Sequence, residues 1–262
     1  MVSRIFSLLV PVRVTAAYAT ALFVIASILV ALGPRTTERV IGQLSTNLDN
    51  LGSGHLATLV GSAFVTEEGQ TYLLLPGLIC LLALAELLWC GRRVVQAFVL
   101  GHLGATLIVA AGLVAAIEAG WVSRSIEGAS DVGLSYGAVA VLGALSAAIP
   151  ARWRAAWIGG WLMVALSVVA LGAGFVAIGH AVALILGMAL STRFHLDVHW
   201  TGLRRSLLPA AVGFGLLLLV GVALPTAPIV IPAGVLGAAV AHVVVASWRA
   251  AADRRTAVPA AR

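Results

Sequence analysis

The 262-residue sequence contains no lysine, and only 10% of its residues are charged, against roughly 25% in an ordinary soluble domain. With 61% apolar residues and a mean hydropathy of +1.07, the shortage of charge excludes a water-soluble globular chain. The formal charge of +6 is carried by arginine alone, in short clusters between apolar runs. That pattern fits topology determinants and not a nucleic-acid-binding face. Cysteine is nearly absent too. Cys80 and Cys90 fall in one apolar segment, about 15 Å apart along a helix, so no disulfide framework is available. The first apolar run is longer than a signal-peptide core and is followed by "GPRTTERV" with no small-residue cleavage pattern, so a retained helix is expected.

What is present is hydrophobic length. A helix needs about 20 apolar residues to cross the hydrocarbon core. On that measure the spans are 14–32, 72–89, 94–117, 132–149, 153–171, 173–191, 207–224 and 228–248. The run 153–191 demands two crossings, with the turn at "LGAG" (171–174). An all-α, polytopic transmembrane bundle of about eight helices follows, with seven or nine as neighbouring counts. Threading the chain through these spans puts thirteen arginines on one side. Arg35, Arg39 and Arg124 alone fall on the other, the side that also takes most connecting carboxylates. The arginine-rich side reads as cytoplasmic, both termini included, in a plasma membrane. Residues 1–13 form a cytoplasmic N-terminus, 192–206 a cytoplasmic loop, 207–248 the last two spans and 249–262 a polar, disordered tail. The long outer loop 33–71 carries an apolar stretch, His55–Phe64, too short to span and suited to lying at the interface or on the bundle.

Ionisable groups inside a bilayer are costly, so each is a candidate site. Glu86, His102, His180 and His242 are the set, joined by Ser135 and Tyr136 in "DVGLSYGA". Ser135 enters about one turn deep from the outer side and His180 about two turns deep, so the two can meet. Gly133, Gly137 and Gly179 flank them, and small residues let helices approach closely. A serine held against a histidine is a minimal nucleophile and base. The plainer alternative, a serine bonded to its own helix and a histidine bonded to a carbonyl, stays open. His102, between Gly101 and Gly104, reads as a polar group at a crowded crossing, and Glu86 as a partner for Arg92 or Arg93 or for a helix end. His195 and His199 have i, i+4 spacing with Asp197 between them, but no accompanying glutamate base supports a metal site.

"GLSYG" (Gly133–Gly137) on the fourth span and "GHAVALILG" (Gly179–Gly187) on the sixth resemble the rhomboid family of intramembrane serine proteases, which carry G-x-S-G and a histidine followed by small residues in those places. "SAF" (Ser62–Phe64) and Glu86 with Gly91 and Arg92 are similar to further stretches of that family. The resemblance covers about residues 14–191 and implies a six-helix core in which Ser135 is the nucleophile and His180 the general base. Gly133, Leu134, Tyr136, Gly137 and Gly179 would surround them, and His102 and Glu86 would be possible polar support. Two departures stand out. Tyr136 replaces the second glycine of G-x-S-G, and Thr66, Thr71 and Leu75 stand where the family places the His and Asn side chains that help stabilise the oxyanion. The implied activity is cleavage of transmembrane helices near the outer face of a bacterial inner membrane, with no metal or cofactor. Partners would be transmembrane substrates or clients and the lipid bilayer. The alternatives are a rhomboid-like scaffold without proteolysis and, less well matched, a small transporter.

Overall fold

The computed structural model describes residues 10–66, 70–172, 174–194 and 198–256. Eight helices make the bundle. They are α1 (Arg13–Leu32), α2 (Gln70–Leu88), α3 (Gly91–Glu118), α4 (Ser135–Ala144), α5 (Ala151–Ala170), α6 (Gly174–Ser191), α7 (Gly202–Val220) and α8 (Ala227–Thr256). Seven of them are long and apolar enough to cross a membrane; α4 is the exception. No strand occurs among the described residues. The chain is a polytopic helical bundle. Odd-numbered helices begin at the end rich in arginine, the arginine end, and even-numbered ones begin at the end carrying the 33–71 connection, the loop end. Cross-links confirm the alternation: Arg204 at the start of α7 donates to Leu87 O at the end of α2 (2.5 Å), and Arg249 near the end of α8 reaches Ala151 O at the start of α5 (3.4 Å).

Between membrane helices the surrounding lipid is as apolar as leucine, so close packing has to come from small side chains. The chain supplies them at α4, whose residues Tyr136–Ala144 are all buried between α3, α6 and α7. A Cβ on Gly187 of α6 would lie 1.9 Å from the Ala140 carbonyl oxygen, and one on Gly143 would lie 2.4 Å from that of Leu184. On the other flank, a Cβ on Gly101 of α3 would meet the Ala140 methyl at 2.0 Å. The same device joins the antiparallel pair α5 and α8, where Gly159 and Gly160 face Gly237 and Gly234. Helix α7 lies in the gap between α2 and α5. Phe214 packs where a Gly77 side chain would be, and Gly215 leaves room for Leu142 and Trp161.

Two expectations from sequence are corrected. The fourth span is not 132–149: α4 starts at Ser135 and ends in a 3-10 turn, Leu145–Ala147. Gly133 has φ +121° and gives its amide to Ser62 O (2.8 Å), so the chain cannot be helical before Ser135. Of the segment after Ala250, residues 251–256 continue α8, and the remainder lies outside the described residues. The 33–71 connection holds three short helices, Pro34–Leu44, Leu48–Gly52 and Thr58–Gly61, and its apolar stretch packs against α1 and α3, as expected. His195 and Asp197 lie outside the described residues.

Replacing Gly187 by alanine should drive the new methyl into the Ala140 carbonyl, which cannot swing aside. Destabilisation of about 3 kcal/mol is expected in SDS-titration unfolding of detergent-solubilised protein. Gly112→Ala, where no atom lies within 4 Å, should leave the midpoint unchanged.

Candidate functional site

Ser135 is the first residue of α4, placed there by the chain reversal at Gly133. Two connections hold that reversal. Ser62 O accepts the Gly133 amide, and residues 45–46 stitch Asp131: Thr46 donates both its amide and its hydroxyl to Asp131 O (each 3.0 Å), while Asp131 N donates to Ser45 Oγ (2.8 Å). His180 lies on α6, 3% exposed. Ser135, half-buried, and His180 line one cavity of about 460 Å³, with Asp131, Thr66, Gln70 and Leu217 also on its wall. The two predicted side chains are thus brought to a common space. They are not joined in it: neither ring nitrogen of His180 has a hydrogen-bond partner among the described residues.

Tyr136 takes the place next to the histidine. Its ring stands edge-on to the His180 imidazole, centroids 5.4 Å apart at 84°. Gly179 makes the room, since a Cβ there would lie 2.2 Å from the tyrosine ring. The glycine missing after Ser135 is in effect matched by a glycine before His180. Gly137 performs a separate service, leaving space for the Phe98 ring of α3. Leu134 is buried and its carbonyl accepts the Ala138 amide, which opens the helix. The first-turn amides after it have no acceptor within α4 and carry the partial positive charge of a helix N-terminus.

Asp131 was only one of several loop carboxylates in the sequence reading, and nothing in its local pattern marks it. Burial pushes its carboxyl up to about 6, while the nearby Tyr136 and Thr46 hydroxyls pull the other way. No hydrogen bond of normal geometry reaches the Tyr136 hydroxyl.

The hydrogen bonds of His102 and Glu86 go to groups other than Ser135. His102 Nε2 meets Ser62 Oγ (3.2 Å) and Leu59 O (3.0 Å), and its ring stacks on Phe98, so it ties the outer-loop segment to α3. Ser62 and Ala63 are the hub that sequence patterning missed: Ser62 meets His102 and Gly133, and Ala63 O accepts the Tyr18 hydroxyl at 2.6 Å. Glu86, 5% exposed, is engaged by α1 at the arginine end. Its carboxylate accepts from the amides of Val14 (3.0 Å) and Thr15 (2.9 Å) and from the Thr15 hydroxyl (2.8 Å). It caps the start of α1 and forms no ion pair with Arg92 or Arg93. The one ion pair among the described residues is Arg124–Glu127, and no group of metal-ligating side chains is found among them.

The sequence model of the family described as rhomboid-like protein matches residues 12–195. The chain belongs to the rhomboid-like protein family. The match spans α1 to the end of α6, so both candidate residues of this rhomboid-like chain lie within it. No curated protein and no solved structure matches the chain.

Two outcomes follow from this geometry. Glu86→Ala removes three bonds to one buried carboxylate and should lower stability by about 3 kcal/mol in the same SDS titration. Asp131 binds its proton more tightly folded than unfolded. Its contribution is therefore complete below the ordinary carboxylate range and is lost as pH rises through about 6. The melting temperature of the wild type should fall as pH rises from about 4 to about 6, and Asp131→Asn should flatten that fall.

Proposed function

We propose that the chain is a rhomboid-like intramembrane serine protease in which Ser135 is the nucleophile and His180 the general base. The observation that carries this reading is the shared cavity: its wall holds a serine at a helix N-terminus and a histidine whose buried nitrogens have no hydrogen-bond partner among the described residues. In the reaction Ser135 Oγ bonds to the carbonyl carbon of a substrate peptide while its proton passes to His180. The first-turn amides of α4 receive the oxyanion, a part otherwise played by side chains absent here. Breaking the C–N bond sends the His180 proton to the leaving amine. Water entering from the outer side then attacks the acyl carbon as His180 takes its proton; the C–Oγ bond breaks, the carboxylic product leaves and His180 returns the proton to Ser135 Oγ. Tyr136 holds the imidazole plane throughout. The reaction calls for no metal or cofactor.

In this reading the core, residues 14–191, carries the site and residues 207–248 add a wall, since Leu217 and Gly221 of α7 and its end close the cavity on one side. The loop end faces outward, both termini lie in the cytoplasm of a bacterial cell, and substrates are transmembrane helices unwound near the outer face.

A second reading, a non-proteolytic helix-binding scaffold, is favoured by one observation: α7 fills the gap between α2 and α5, leaving the cavity little lateral access from the bilayer.

A fluorophosphonate probe separates the two. The wild type should be labelled as Ser135 Oγ displaces fluoride, Ser135→Ala should not be labelled, and His180→Ala should label at least ~100-fold more slowly. Equal labelling of wild type and Ser135→Ala, or none of either, selects the scaffold.

A further inference from the structure

A second cavity, of about 520 Å³, lies on the other flank of the bundle and has no part in the site above. Its walls are the first turns of α1 (Val14, Ala17, Ala21) and of α3 (Val95, Phe98, Val99), and the outer-loop segment Leu59–Phe64 covers it. Almost all of its lining is carbon. The two polar side chains that reach it are engaged elsewhere, Tyr18 with Ala63 O and His102 with Leu59 O and Ser62. A groove of this kind among membrane helices offers nothing to a polar ligand and suits a hydrocarbon chain.

Charge sits at its arginine end. Val14 and Val94, both lining residues, directly follow Arg13 and Arg93, and Arg92 comes one position earlier. The starts of α1 and α3 touch, since a Cβ on Gly91 would meet Val14 at 2.5 Å. Arg13 and Arg92 are exposed, and neither forms an ion pair among the described residues. Arg93 lies over the Phe194 ring at 5.3 Å. Among the described residues the carboxylate beside this end is Glu86, which is buried and taken up by the amides of Val14 and Thr15 and the Thr15 hydroxyl. Two guanidinium groups with no ion pair among the described residues therefore stand at the mouth of an apolar groove, one headgroup's reach from where a lipid tail would lie.

We propose that this groove is a binding site for an anionic phospholipid of the leaflet at the arginine end, with one acyl chain between α1 and α3 and its phosphate on Arg13 and Arg92. Charge complementarity selects this occupant over a zwitterionic lipid, for which the two cations offer no preference. The seat lies under the segment that holds Gly133 through Ser62, so an occupied groove braces the same loop that positions Ser135.

The test uses the full chain in nanodiscs with phosphatidylglycerol or phosphatidylcholine bearing a photoreactive group on the acyl chain, the cross-linked peptides being mapped by mass spectrometry. Phosphatidylglycerol should label the 14–21 and 94–103 peptides several-fold more than phosphatidylcholine. The double variant Arg13→Gln, Arg92→Gln should remove that preference, while Arg152→Gln, Arg154→Gln, also at the arginine end, should keep it. Ala17→Phe, which fills the groove, should cut labelling by both lipids there. Equal labelling by the two lipids, labelling spread evenly around the bundle, or a preference that survives Arg13→Gln, Arg92→Gln would each overturn the proposal. Cross-linking of chain to chain in place of lipid would assign the groove to a second copy and also overturn it.

Discussion

The contact of α4 with its neighbours is the constraint on which the rest depends. Where Gly187 passes the Ala140 carbonyl and Gly101 passes the Ala140 methyl, backbones meet with no side chain between them. A helix held that tightly on both sides has no room for a full membrane-crossing length of large residues, and it has none: Ser135–Ala144 is almost all alanine, valine, glycine and leucine. Because α4 is short and central, its first residue comes to lie inside the bundle beside a cavity, and not at a bilayer surface. Depth and position of Ser135 are thus set by packing, before any chemistry at the serine is considered.

The loop-end connections perform the complementary task. Ser62, Ala63, Thr46 and Ser45 all bond to groups that are far away in sequence, and the bonds made to the 131–133 stretch go to its backbone N–H and C=O groups. Backbone partners hold a chain path whatever side chains it carries. The reversal at Gly133 is therefore fixed independently of the residues around Ser135, which leaves Tyr136 free to differ from the usual glycine so long as Gly179 opposite gives way.

Much of this was legible in sequence, for identifiable reasons. Apolar length located all eight bundle helices, because a bilayer admits few alternatives to a spanning helix, though it took the short α4 for a full span. The pairing of Ser135 with His180 in one cavity was legible from span counting and from flanking glycines. What stayed hidden was everything dependent on where a side chain turns. Glu86 lies two turns from two arginines in sequence and yet spends its charge on the start of another helix, because three donors at the start of α1 outcompete an exposed guanidinium. His102 looked available to the site, but its ring is taken by the outer-loop segment. The start of α4 was placed three residues early because hydropathy is blind to a glycine at positive φ. Asp131 was unremarkable in sequence, since its raised affinity for a proton comes from burial in the folded chain, which outweighs the opposing Tyr136 and Thr46 hydroxyls.

The tension between the two functional readings is physical and sits in two places. At Tyr136, an aromatic edge occupies the side of the imidazole and so limits how the ring can turn, which orients a base as readily as it immobilises a bystander. At α7, Phe214 and Gly215 seal the passage between α2 and α5, so a substrate helix could reach Ser135 only by displacing α7 or by descending from the loop end. Displacing α7 would strip Phe214 from Gly77 and Leu142 from Gly215, both close contacts made without intervening side chains. Descent from the loop end costs no helix contact and needs only an extended, already unwound segment. If the dyad is active, the geometry therefore favours substrates that are weakly helical near the loop end over those that must be drawn sideways from the bilayer.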